Sequence, residues 1–106
     1  MSEPGGEFSS ASHSPDAPIV RVLEICNKKG LHVRASAKFV QTVEKVDAEV
    51  KVRRGNEVVG GTSIMGLMML AAGPGTTITV EASGREAAEV VNALTALVSG
   101  RFTEEE

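Results

Sequence analysis

"DAEVKVRRGNEVVGG", residues 47–61, is the stretch whose reading decides the fold. Ala48, Val50 and Val52 alternate with Glu49, Lys51 and Arg53, a period of two that suits a strand with one face buried and the other in water. Arg54, Gly55 and Asn56 supply turn chemistry, and "EVVGG" reads as a short returning strand. A parallel sheet covered on both faces is built from continuous apolar runs instead. The hairpin therefore predicts a mainly antiparallel sheet with helices on one face.

Working outward, "IVRVLEIC", residues 19–26, is rich in β-branched residues and bounded by the turn-like "NKKG", so it reads as a strand. Both of its alternating sets are mostly apolar, which leaves its buried face open. Ala35, Phe39, Val43 and Val46 recur at helical spacing, widened by Val40, and predict a helix from Val33 to Lys45. On the other side, "TSIMGLMML" opens on the cap-forming Thr62 and Ser63 and stops before Gly73 and Pro74, giving a short helix. "TTITVEA" alternates again, with Ile78, Val80 and Ala82 on one face. Ser83 and Glu86 have the spacing of a capping box. Behind them Ala87, Val90, Val91, Leu94, Leu97 and Val98 form one helical stripe ending at Gly100. The order is β-α-β-β-α-β-α, an α+β domain over residues 19–102. Residues 1–18, made of Gly, Ser, Pro and acids with one Phe, read as a disordered tail, and 103–106 as a frayed acidic end.

Composition narrows the function. A chain of 106 residues holds one core, and with three Phe and no Trp or Tyr that core is aliphatic. The same lack removes the stacking platforms of single-strand nucleic-acid binders, and a net charge of -3 at pH 7 argues against a phosphate-backbone binder. Cys26 is the single cysteine, so neither an intrachain disulfide nor a paired-cysteine metal motif is expected. No apolar run reaches the roughly 18 residues of a membrane span. The first residues have neither a basic start nor an apolar core, so the expected location is cytoplasmic.

The candidate chemistry lies in "KKGLHVRASAKF". A neutral imidazole is a nucleophile at neutral pH. If His32 accepts a phosphoryl group, the first turn of the following helix offers free amides and the positive end of its dipole, and Arg34 offers a forked guanidinium. Ala35, Ser36 and Ala37 are small and leave access open. The bland reading stands beside this one: a polar residue where a loop becomes a helix, followed by a solvated arginine. His32 and Cys26 are not at zinc-ligand spacing and His13 lies in the tail, so no metal or cofactor is expected. In "GTSIMGLMML", Ile64, Met65, Leu67, Met68, Met69 and Leu70 almost surround a short helix. They describe either a largely buried helix or an adaptable exposed patch beside Ser63.

"NKKGLHVRASAKFV" resembles the active-site segment of the histidine-containing phosphocarrier family HPr of the phosphoenolpyruvate-dependent phosphotransferase system. "TSIMGLMMLAAGPGTTITVEASG" resembles the regulatory-serine segment of the same family, at the expected separation. The resemblance implies an open-faced β-sandwich, a four-stranded antiparallel sheet covered by three helices. It implies a carrier rather than an enzyme, taking phosphate on Nδ1 of His32 from enzyme I and passing it to a histidine of an enzyme IIA. The branch served is sugar uptake or nitrogen-type regulation. It also implies that Arg34 contacts the phosphoryl group and that Ser63 is the position modified by HPr kinase/phosphorylase. Ile64, Met65 and Met68 match the apolar docking patch for partners, signalling proteins among them, and the carrier is expected to be a monomer. The family usually has proline after the arginine, where this chain has Ala35; the helix is expected to persist. A second function consistent with the residues is a regulatory binding module switched by phosphorylation.

Overall fold

The computed structural model describes residues 17–104, so nearly all of the segment read as a disordered tail lies outside the described residues, as do Glu105 and Glu106. The elements run β1 (Ile19–Glu24), α1 (Val33–Glu44), β2 (Glu49–Arg54), β3 (Glu57–Gly60), α2 (Ile64–Met69), β4 (Thr77–Ser83) and α3 (Ala87–Ser99). A left-handed turn follows at Arg101–Thr103. The four strands form one antiparallel sheet in the order β1-β4-β2-β3, covered on one face by the three helices. This is the open-faced sandwich that the resemblance implies.

Alternation sets the inner face. Val50 and Val52 of β2 and Ile78, Val80 and Ala82 of β4 are all buried, while Glu49, Lys51 and Arg53 face water. Gly55, at φ +62°, turns the chain tightly enough for Arg54 to pair with Glu57. For β1 the register decides what alternation left open. Arg21 lies opposite Val80 and Leu23 opposite Ile78, so Ile19, Arg21 and Leu23 share the helix-covered face. Val20 and Val22 are turned outward and remain exposed. Arg21 tolerates the inner side because its guanidinium reaches Asn92 and Thr95 of α3.

The capping box is not formed. Ser83 is still strand, paired with Glu49, and Gly84 at φ +110° redirects the chain before α3 begins. Glu86 instead accepts a bond from the Asp47 amide at 2.6 Å, and its own amide donates to the Asp47 carbonyl at 3.0 Å, tying α3 to the link between α1 and β2. Helix α2 stops before Gly73 and Pro74 as expected, with Ala71, at φ +53°, rather than a glycine in the left-handed position after its C-cap. Along α3 the stripe of Ala87, Val90, Val91, Leu94 and Val98 is buried and Leu97 packs at its margin.

The core closes with Phe39 of α1 and Phe102 of the left-handed turn, both fully buried. Thr103 and Glu104 are therefore not frayed. With Phe102 anchored beneath them, the Lys38 ammonium donates to the Phe102 carbonyl at 2.6 Å and to the Thr103 hydroxyl at 2.7 Å, which fixes the chain where it leaves the turn.

Candidate functional site

The loop from Asn27 to His32 is shaped by two constraints. Gly30 adopts φ +66°, and a Cβ there would stand 2.4 Å from the Ala72 carbonyl, so only glycine fits. The same Ala72 carbonyl accepts from the Leu31 amide at 3.0 Å, pinning the loop to the segment that follows α2. Asn27, fully buried, donates from Nδ2 to the Gly30 carbonyl at 2.8 Å and closes the turn from inside.

His32 is the N-cap of α1, and its Nδ1 accepts the Arg34 amide at 3.2 Å. The imidazole thus does with a ring nitrogen what Ser or Asp does at other helix starts. Its other nitrogen, Nε2, contacts Glu104 Oε2, while Glu104 Oε1 accepts from Asn27 Nδ2 at 3.1 Å. The His32 side chain is 25% exposed and that of Glu104 13%. Burial alone would raise the Glu104 carboxyl, but the bonds from His32 and Asn27 and the charges of His32 and Lys38 outweigh it and hold the group below the ordinary glutamate range.

An open depression of about 680 Å³ surrounds the imidazole, lined by Lys28, Lys29, Arg34 and Lys38 together with Val33, Thr103 and Glu104. Although the chain is acidic overall, its charge here is locally positive on a surface suited to a phosphoryl dianion. Arg34, the second residue of α1, is exposed within the first turn, between the amides of Val33 and Ala35. Lys38 lies one helical turn beyond it, a spacing present in the sequence but not read there as part of the site. The structure corrects the reading of access. Ala35 and Ser36 are completely buried, and Ser36 Oγ donates to the Leu31 carbonyl at 3.2 Å, so their small size serves packing rather than entry. Helix α1 starts at Val33 with Ala35 in its first turn, as expected without the proline.

Ser63 caps α2, accepting the Gly66 amide on Oγ at 2.9 Å. Of the apolar residues in that helix only Leu67 is buried. Ile64, Met65, Met68 and Met69 are exposed at 36%, 70%, 40% and 74%, which favours the patch over the buried helix. Met68 shares a shallow hollow of about 290 Å³ with Lys29, Leu31 and His32, so the apolar patch and the imidazole belong to one continuous surface. Ser63 itself is exposed, directly before Ile64 at the start of α2.

Comparison with known proteins bears on the same stretch. A family model described as the PTS HPr component phosphorylation site matches residues 19–100. The phosphocarrier protein HPr of Neisseria meningitidis is 52% identical over 84 residues, covering 79% of this chain and 94% of the relative. The phosphocarrier protein NPr of Shewanella violacea is 39% identical over 84 residues, covering 79% and 92%. Among solved structures, HPr from Thermoanaerobacter tengcongensis superposes with a TM-score of 0.79 at 38% identity, covering 83% of this chain and 99% of that one.

Proposed function

The chain belongs to the HPr family of phosphotransferase-system phosphocarriers, and from that premise we propose that His32 is the residue on which it carries phosphate. The observation that carries this reading is the position of Nδ1, which is unprotonated because it accepts the Arg34 amide at the N-terminus of α1, inside a ring of cations. Phospho-enzyme I presents its phosphohistidine to this surface. The His32 Nδ1 lone pair attacks phosphorus in line as the donor's P–N bond breaks, and that electron pair returns to the donor imidazole. The Arg34 amide, released from Nδ1, then donates to a phosphoryl oxygen, with the guanidinium beside it. Delivery to an enzyme IIA histidine is the same step reversed. The protein is thus a substrate of both partners, and the exposed Ile64, Met65 and Met68 supply the apolar part of the docking surface.

Incubation with phosphoenolpyruvate and a compatible enzyme I tests the assignment. Wild type is expected to be labelled in an acid-labile linkage and His32→Ala not at all. Equal labelling of the two removes His32 from the reaction.

The exposed methionines around Ser63 favour a second, compatible role in regulated binding. A phosphate on Ser63 would stand at the border of an apolar docking face and oppose acidic partners. Ser63→Asp is expected to weaken enzyme I binding with the melting temperature unchanged, and unaltered binding counts against the role.

A further inference from the structure

Glu104, in the acidic stretch at the C-terminal end, is held in direct contact with the imidazole by partners far away in sequence. Its Oε2 meets Nε2 of His32, and its Oε1 takes Nδ2 of Asn27 at 3.1 Å. Asn27 cannot swing away, because it is fully buried and also bonded to the Gly30 carbonyl at 2.8 Å. On the other flank, buried Phe102 and the two Lys38 bonds fix the turn from which Glu104 projects.

We propose that Glu104 is a positioning residue for phosphoryl transfer, holding His32 in the tautomer and orientation that put the lone pair on Nδ1. The proposal rests on His32 being the phosphoryl acceptor. An ionised carboxylate only accepts, so the nitrogen facing it carries the proton. On the opposite side of the ring an amide donates to Nδ1, so that nitrogen carries none. Two independent bonds thus specify one tautomer.

The carboxylate has a further effect during the step. As the N–P bond forms and the donor's P–N bond breaks, the His32 ring keeps its Nε2 proton and gains positive charge, and the donor ring becomes neutral. Glu104 lies against the nitrogen where that charge is shared and offsets it. Its contact with Nε2 leaves Nδ1 clear, so acceptor and phosphorylated forms can both keep it. The carboxylate of Glu104, accepting from Asn27 on one oxygen and from His32 on the other, makes a chain of the kind that orients catalytic imidazoles elsewhere, with the nucleophile here being the ring itself.

Nitrogen-15 spectra of the His32 ring, recorded where the ring is neutral, read the tautomer without any partner protein. Wild type is expected to show the Nε2–H form alone. Glu104→Ala is expected to show a mixture with Nδ1–H, and Glu104→Gln, which keeps a neutral acceptor, an intermediate. Phosphoryl acceptance from phospho-enzyme I should fall about tenfold in Glu104→Ala, the consequence of losing one hydrogen bond to a charged group. Glu104→Gln should recover part of that loss. An unchanged spectrum or an unchanged rate in Glu104→Ala overturns the proposal. A wild type that is not labelled on His32 overturns the carrier assignment instead, and the ring spectrum separates the two failures.

Discussion

Phe102→Ala probes how the fold delivers its C-terminal turn to the site. The ring is completely buried, and its residue sits in the left-handed region at φ +56° between Arg101 at +58° and Thr103 at +59°. Left-handed geometry costs non-glycine residues about 1–2 kcal/mol each, so the turn persists only because something holds it. Alanine keeps that cost and removes the anchor. Truncating a buried Phe typically costs about 3–5 kcal/mol, and a site at the rim of the core, able to relax, belongs near the lower end at about 3 kcal/mol. For a domain of this size each kcal/mol is worth about 4–8 °C in Tm, so a fall of roughly 12–24 °C is expected by circular dichroism. Urea unfolding should show a lower midpoint. Phe102→Leu, which keeps most of the volume, should cost about 1 kcal/mol. A fall of less than about 4 °C for Phe102→Ala would refute the reasoning, because it would mean the turn is not anchored by the ring.

Three further outcomes follow from the same geometry. Arg101→Gly relieves a left-handed residue at an exposed position; after allowing for the greater unfolded-state entropy of glycine, it is expected to stabilise by about 0.5–1 kcal/mol in thermal unfolding. Gly30→Ala meets both φ +66° and the Ala72 carbonyl at 2.4 Å, so it is expected to destabilise by about 2 kcal/mol or more and to lose hydrogen-exchange protection at the Leu31 amide. Because the Glu104 carboxyl is held below its ordinary value in the fold, its contribution is fully present above the unfolded value of about 4.3 and is lost as pH falls through the folded value. The Tm gap between wild type and Glu104→Gln is therefore expected at neutral pH and should close in acid; a gap that widens in acid contradicts the sign.

Much of this architecture is written locally. The alternation in β2 and β4 and the stripe of α3 each name their buried residues, because a strand or helix with one wet face must segregate its side chains. The glycine turn before His32 and the helix start after it are equally local. Where the sequence was silent, the deciding partner lay far along the chain. The inward set of β1 contains Arg21 and the outward set two valines, a choice made by pairing with β4 and by α3 rather than by hydrophobicity. Ser83 and Glu86 match a capping spacing, but strand pairing holds one and Asp47 takes the other. The methionine helix gave two readings because a six-residue helix has too few turns for its periodicity to separate buried from exposed. Glu104 and Asn27 were missed for the same reason: their bonds span 72 and 77 residues, and a run of acids carries no sign of the imidazole it will meet.

The central claim is that phosphate resides on one ring nitrogen of one residue. Phosphorus-31 spectra of the protein labelled with phosphoenolpyruvate and enzyme I, combined with nitrogen-15 labelling of its histidines, address it directly. The expected result is a single added phosphoryl group whose phosphorus couples to Nδ1 of His32. Coupling to Nε2, to His13 or to no histidine would contradict the account.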